Sequence, residues 1–153
     1  MENQTALDWL YKWEKEKPNS IYLSQPVDGV WHNWTFSEVA NEIRKMASYI
    51  NSLELENNSK IGILSKNCAH WIMSDLAIFL SGHISVPLYP NLNGESLNQI
   101  LNHSETKLLF VGKLDDFASQ KSAIPQDINC ISFPFYTEDY PMWDDVVKDF
   151  DPS

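Results

Sequence analysis

From Phe36 to Leu53 apolar residues recur at three- and four-residue steps: Phe36, Val39, Ala40, Ile43, Met46, Ala47, Ile50 and Leu53. That is the stripe of an amphipathic helix lying on a core. Thr35-Phe-Ser-Glu38 opens it as a capping box, in which threonine and glutamate each serve the other's backbone N–H. A shorter helix is predicted over Thr5 to Lys17, with Thr5 and Asp8 as a capping pair and Ala6, Trp9, Leu10 and Trp13 on one face. Between the two, Ser20–Ser24 and Trp31–Thr35 read as strands around Pro26-Val-Asp-Gly29, and Asp-Gly marks a hairpin.

Beyond the polar loop from Glu54 to Ser59 the pattern changes. Lys60–Ser65 is an apolar strand of the kind covered on both faces. Asn67 is placed to cap a helix from Cys68 to Ser81 whose second half, Leu76-Ala-Ile-Phe-Leu80, is apolar nearly all round and is expected to be buried. Gly82 suits the position after the helix. Ile84–Tyr89 is the next strand, stopped by Pro90. A helix begins at Asn93 and runs through Leu97, Ile100 and Leu101. Then follow a strand at Lys107–Val111, a helix at Leu114–Ala123 and a strand at Ile128–Phe133. The stretch from Tyr136 is acidic and aromatic, with a short helical candidate at Trp143–Val147.

Strands alternating with helices of this length predict an α/β fold, mainly a parallel sheet flanked by helices with right-handed crossovers, preceded by an N-terminal helix and a β-hairpin. The corresponding divisions are a helix over 1–19, an α/β unit over 20–133 and an acidic connector over 134–153. Repeats and low-complexity tracts are absent.

The 153 residues suit one domain, and 43% hydrophobic residues with 6 Trp, 6 Tyr and 7 Phe can fill a core. A net charge of -10 repels phosphate backbones and anionic membranes, which argues against a nucleic-acid partner. Cys68 and Cys130 form no Cys-x-x-Cys pair, and the polar N-terminus carries no signal-peptide pattern; a reducing, cytoplasmic setting is expected. The longest apolar run, Leu76 to Leu80, is too short for a transmembrane segment, so any membrane contact is expected to be peripheral.

Candidate chemistry is sparse. Phosphate loops need clustered glycines, and the 5 glycines stand apart. Ser65-Lys-Asn67 could offer one cation and a helix start to an anion, although a helix cap with a solvated lysine accounts for the same residues. The histidines have no metal spacing, so no metal site is expected; His70 reads as a helix-surface residue and His83 as a loop residue. Gly62-Ile-Leu-Ser65 and Gly82-His-Ile-Ser85 lack the second glycine of a nucleophile elbow. Asp115-Asp116 and Asp144-Asp145 suit helix starts better than acid–base work. Trp9, Trp13, Trp31 and Trp34 read as core beneath the hairpin rather than as a partner surface.

Several pieces, taken in order, resemble a known family. They are Trp34-Thr-Phe-Ser-Glu-Val, Ile61-Gly-Ile-Leu-Ser-Lys-Asn-Cys-Ala-His-Trp, Asp75-Leu-Ala-Ile, Gly82-His-Ile-Ser-Val-Pro-Leu-Tyr-Pro90, Ile100-Leu-Asn-His-Ser104 and Lys107-Leu-Leu-Phe-Val-Gly112. Across roughly half the chain their order and spacing are similar to the N-terminal subdomain of long-chain fatty-acid–CoA ligases, the AMP-forming adenylating enzymes. The resemblance implies that 20–133 is part of an AMP-binding domain whose parent joins a fatty acid to CoA at the expense of ATP, with magnesium.

The family's Ser/Thr/Gly-rich phosphate loop, its magnesium motif, its ribose-binding aspartate and its mobile lysine match no position here. No catalytic or cofactor-binding residue is therefore assigned, and the chain alone is expected to be inactive, its partner being the remainder of the ligase. In open parallel sheets ligands sit beyond the carboxyl ends of strands. Ser65, Lys66, Asn67, Tyr89 and Asn91 occupy such ends and are the candidate cleft-lining residues. The alternatives are a free-standing, non-catalytic module that covers its open sheet edge as a homodimer, an adenylating enzyme that loads a carrier protein, and a small flavodoxin-like binder of a nucleotide or flavin, which the glycine count disfavours.

Overall fold

The computed structural model describes residues 5–134 and 140–152. Two capping boxes set the first helices. Thr5 Oγ1 accepts the Asp8 N–H at 3.1 Å to open α1 (Ala6–Glu16), and Thr35 Oγ1 accepts the Glu38 N–H at 3.1 Å to open α2 (Phe36–Ser52). The hairpin β1 (Ile21–Val27) and β2 (Val30–Thr35) lies between them. It turns through Asp28 and Gly29, both at positive φ (51° and 79°), the two-residue turn whose twist matches that of antiparallel strands. The strands thus run three residues further toward the turn than Ser24, and Pro26 is inside β1, opposite Trp31.

Next come β3 (Lys60–Leu64), α3 (Ala69–Leu80), β4 (Ile84–Leu88), α4 (Gly94–His103), β5 (Leu108–Val111), α5 (Phe117–Gln120), β6 (Asn129–Ser132) and α6 (Trp143–Val147). All four later strands are parallel, in the order β4-β3-β5-β6. The chain moves from β3 outward to β4, then crosses back over β3 to reach β5. Consequently α3 and α4 cover opposite faces.

Period-2 alternation divides the core accordingly. Ile61, Ile63, Leu108, Phe110 and Ile131 face α1, α2, α3 and α6. Leu64, Leu109, Val111 and Cys130 face α4 and the segment around Ile124. Both faces are dry, as the apolar runs require. Trp143 of α6 is fully buried against Phe110, Phe133 and His70, and its Nε1–H donates to Glu42 Oε1 at 3.1 Å.

Several expectations are corrected. The predicted Leu114–Ala123 helix is only one turn, Phe117–Gln120, continued by a 3-10 turn at Lys121–Ala123. Asp116 sits outside helical and strand geometry (φ -146°, ψ 66°) and makes no side-chain cap, so nothing nucleates an earlier start. Asn67 does not cap α3. Cys68 holds the cap position without a side-chain bond, and the buried Gln25 of β1 supplies Oε1 to the Ala69 N–H at 2.7 Å. His70 is a core residue, 2% exposed. Phe79, expected in the core, is 56% exposed because it lies on the side of α3 turned away from the core. Trp9 and Trp31 are likewise exposed, whereas Trp34 packs on the core. The expected start of the acidic segment, Tyr136, lies outside the described residues.

Candidate functional site

Beyond the paired carboxyl ends of β3 and β4 a groove of about 590 Å³ opens. Ser65, Lys66, Asn67 and Trp71 form one wall; Pro87, Leu88, Tyr89 and Pro90 form the other. Each wall follows from local chemistry. On one side β3 ends and the chain bends at Ser65 and Asn67 and is extended at Cys68 before α3 begins, which sets Lys66 and Asn67 at the rim and points Trp71, in the first turn, toward the groove. On the other side Pro90 cannot extend a ladder, so β4 stops and Tyr89 stands 80% exposed.

Four of the five sequence candidates thus meet in one depression. Asn91, exposed on the loop that follows, is not among its lining residues. Asn67 also borders a second recess of about 290 Å³, between β1 and the start of α3, lined by Leu23 to Pro26, Cys68, Ala69, Ile72 and Lys113. Trp71, Pro87 and Pro90 were within the quoted sequence pieces but could be recognised as lining only once α3 and β4 were placed side by side. Gln25 had no sequence signal, because its partner is 44 positions away.

The topological switch point lies between β3 and β5, and there the backbone is closed. The Lys66 N–H donates to the Lys113 carbonyl at 2.8 Å, and the Lys113 N–H donates to Ser65 Oγ at 2.8 Å. Ser65 Oγ donates to its neighbour's carbonyl, Lys66 O, at 2.7 Å. Lys66 Nζ pairs with Asp115 Oδ1 at 2.5 Å. Gly112 permits the approach: a Cβ there would collide with the Phe133 ring and stand 2.6 Å from Ser65 Oγ.

The titratable groups supply no nucleophile or base at the groove. Burial pushes the Cys68 thiol up, and burial pushes Cys130 up to about 11, so neither is a thiolate near neutral pH. Burial also lowers His70 to about 4. Among the described residues no three His, Cys, Asp or Glu side chains converge to hold a metal ion, and no helix is long and apolar enough to cross a membrane. The groove offers binding surface: one ammonium, one amide, two aromatic rings and two prolines.

Comparison with known proteins gives these residues a context. Residues 10–147 match the model of the family described as AMP-binding enzyme. The chain is 29% identical over 109 residues to the long-chain-fatty-acid–CoA ligase FadD15 of Mycobacterium bovis, covering 71% of this chain and 18% of that protein. It is 33% identical over 101 residues to long chain acyl-CoA synthetase 4 of Arabidopsis thaliana, covering 61% of this chain and 15% of that one. Among solved structures, the anthranilate CoA ligase AuaEII in complex with anthranoyl-AMP superposes with a TM-score of 0.79 at 20% identity, over 98% of this chain and 29% of the other. The chain therefore spans less than a fifth of each of these two curated ligases and 29% of the AuaEII chain.

Proposed function

This chain belongs to the AMP-binding enzyme family, and from that premise we propose that it is the N-terminal α/β part of an ATP-dependent long-chain fatty-acid–CoA ligase. The observation that carries the proposal is the family match over residues 10–147, together with the likeness to long-chain acyl-CoA ligases. The reaction has two steps. A fatty carboxylate oxygen attacks the α-phosphorus of ATP, giving acyl-adenylate and releasing pyrophosphate. The CoA thiol then attacks the acyl carbon, loses its proton and expels AMP.

In this role residues 20–133 are a scaffold subdomain. Ser65, Lys66, Asn67 and Tyr89 contribute one wall of the substrate cleft, with Asn91 on the adjoining loop. The reacting groups are held elsewhere in the ligase. This part has no glycine cluster for the ATP phosphates, and its described carboxylates do not converge, so they do not fit magnesium. No step is assigned to the metal here. The open edge of β4, with Phe79 before it and Ile84 at its start both exposed, is where the remainder of the ligase packs; a homodimer is the alternative cover.

The test uses native protein captured from source cells with an antibody against this region. Intact mass and pyrophosphate release are measured with dodecanoate, ATP, magnesium and CoA. A species several-fold heavier than 17.6 kDa that releases pyrophosphate and forms dodecanoyl-CoA is expected. A species of 17.6 kDa without turnover refutes the proposal and favours a non-catalytic module. Turnover by the 153-residue chain itself refutes its role as a scaffold part.

A further inference from the structure

Beyond Leu88 the wall of the groove made by β4 and its following loop has few polar ties. Tyr89 is exposed, Pro90 has no N–H to give, and the loop has left the sheet. Leu92 packs on the core, and the polar tie of the loop to the body is a side chain from a distant turn. Gln120, 3% exposed at the end of α5, donates from Nε2 to the Pro90 carbonyl at 2.9 Å and to the Leu92 carbonyl at 2.8 Å. The amide orientation follows, since the alternative would set Oε1 against two carbonyl oxygens. Its Oε1 is buried without a partner among the described residues, a cost offset by the two bonds on the other atom.

Gln120 itself stands on a fixed base. Asn98 Nδ2 of α4 donates to the Ala123 carbonyl at 2.7 Å, and Ser119 Oγ donates to the Asp116 carbonyl at 3.1 Å. Gly94, at the start of α4, lies so close that a Cβ would touch both Ala123 and the Ser119 carbonyl at 3.4 Å. The loop closes on itself through Leu92 N–H to Tyr89 O at 3.2 Å. Holding Pro90 O and Leu92 O therefore fixes both sides of that small turn, and with it the position from which Tyr89 faces Lys66 and Trp71 across the groove.

We propose that Gln120 is the positioning residue of the groove: by clamping the Pro90 and Leu92 carbonyls it sets the stance of Tyr89, and so the width the groove presents to its ligand. This rests on the reading of the groove as a wall of the acyl-CoA ligase cleft. Gln120 touches no ligand and acts through the loop.

The test compares the wild-type chain with Gln120→Met, which keeps length but donates nothing, and with Gln120→Glu as a second variant should the first not fold. Amide exchange is followed at Leu92 and, as an internal reference, at Leu109 and Phe110 of β5. Dodecanoyl-CoA is then titrated while the Trp71 indole and the Lys66 and Asn67 amides are followed by NMR. Loss of two hydrogen bonds of ordinary strength should speed Leu92 exchange about tenfold or more relative to β5, shift the Trp71 indole signal and weaken dodecanoyl-CoA binding by a similar factor. Unchanged Leu92 exchange relative to β5 overturns the proposal. A loosened loop with unchanged acyl-CoA affinity overturns the positioning role and leaves the cleft reading standing. Absence of any groove shift in the wild type refutes the cleft reading instead, and exchange at Leu92 still decides whether Gln120 holds the loop.

Discussion

Acidification should destabilise this protein chiefly through His70, with His83, also lowered by burial, acting in the same direction. Its ring sits among Trp34 of β2, Phe133 after β6 and Trp143 of α6, with centroids 5.6, 5.8 and 5.2 Å away, and Nδ1 is buried without a partner among the described residues. Desolvation lowers it from its ordinary 6.5 to about 4. The folded chain thus holds His70 neutral, while the unfolded chain takes up a proton below about pH 6.5. Stability from this group is complete above that pH and is lost as pH falls toward 4. Two shifts oppose it. Burial raises Glu42, which accepts the Trp143 N–H, and burial raises Asp144, with Asp145 adding to it; both costs are relieved on acidification. The His70 contribution is therefore read as a difference between the wild type and His70→Phe, which keeps the ring contacts and cannot titrate. Integrating the linkage between pH 7.5 and 4.5 gives a differential loss of about 2.5 kcal/mol for the wild type. Urea unfolding followed by tryptophan fluorescence at four pH values measures it. Parallel stability curves for the two proteins would refute the reasoning, since they would mean that His70 carries its proton, or reaches water, in the folded state.

Gly112→Ala should cost about 1–3 kcal/mol by driving a methyl into Phe133 and Ser65, seen as a lower urea midpoint. Gln25→Ala removes the acceptor for the Ala69 N–H in a buried setting and should cost about 1–3 kcal/mol; a change under a few tenths in thermal unfolding would show that water replaces it. Glu14→Gln breaks the two-bonded pair with Arg44 (2.7 and 2.8 Å), which is about a quarter exposed on each side, so the loss should stay within about 1 kcal/mol and shrink in 1 M salt.

What the chain's pattern reveals about itself depends on the range of the interaction. Local devices were legible: both capping boxes, the Asp28-Gly29 turn, the stripe of α2 and the alternation of strands with helices. The residues that misled are those whose surroundings come from far along the chain. His70 reads as a helix-surface residue until Trp34 and Trp143 are brought around it. Phe79 reads as core because the apolar run carries no information about which side of α3 has a partner. Asn67 has the right chemistry for a cap, yet Gln25 takes that work because β1 lies across the helix start. Of the candidate site, Ser65, Lys66, Asn67 and Tyr89 could be proposed from strand ends alone. Gln120 could not, since nothing near it in sequence hints at two carbonyls about 30 residues earlier.

The position of the groove follows from a competition at the end of β3. A sheet with this strand order has its switch point between β3 and β5, where the chain leaves β3 toward β4 on one side and β5 toward β6 on the other, and a ligand crevice ordinarily opens there. Here Gly112 allows the β5 end so close that Ser65 and Lys113 join the two loops by hydrogen bonds, and Lys66 is drawn toward Asp115. With that side sealed, the open space lies one strand over, between β3 and β4, where Pro90 ends the ladder and the loop depends on Gln120. The sealed side rests on backbone bonds and a fully packed Phe133, whereas the open side rests on the packing of Leu92 and one buried amide. Motion at the carboxyl end of the sheet should therefore be concentrated in the loop around Tyr89. In amide exchange, Leu92 should open well before Lys66 and Lys113, and the reverse order would show that the switch point is the side that moves.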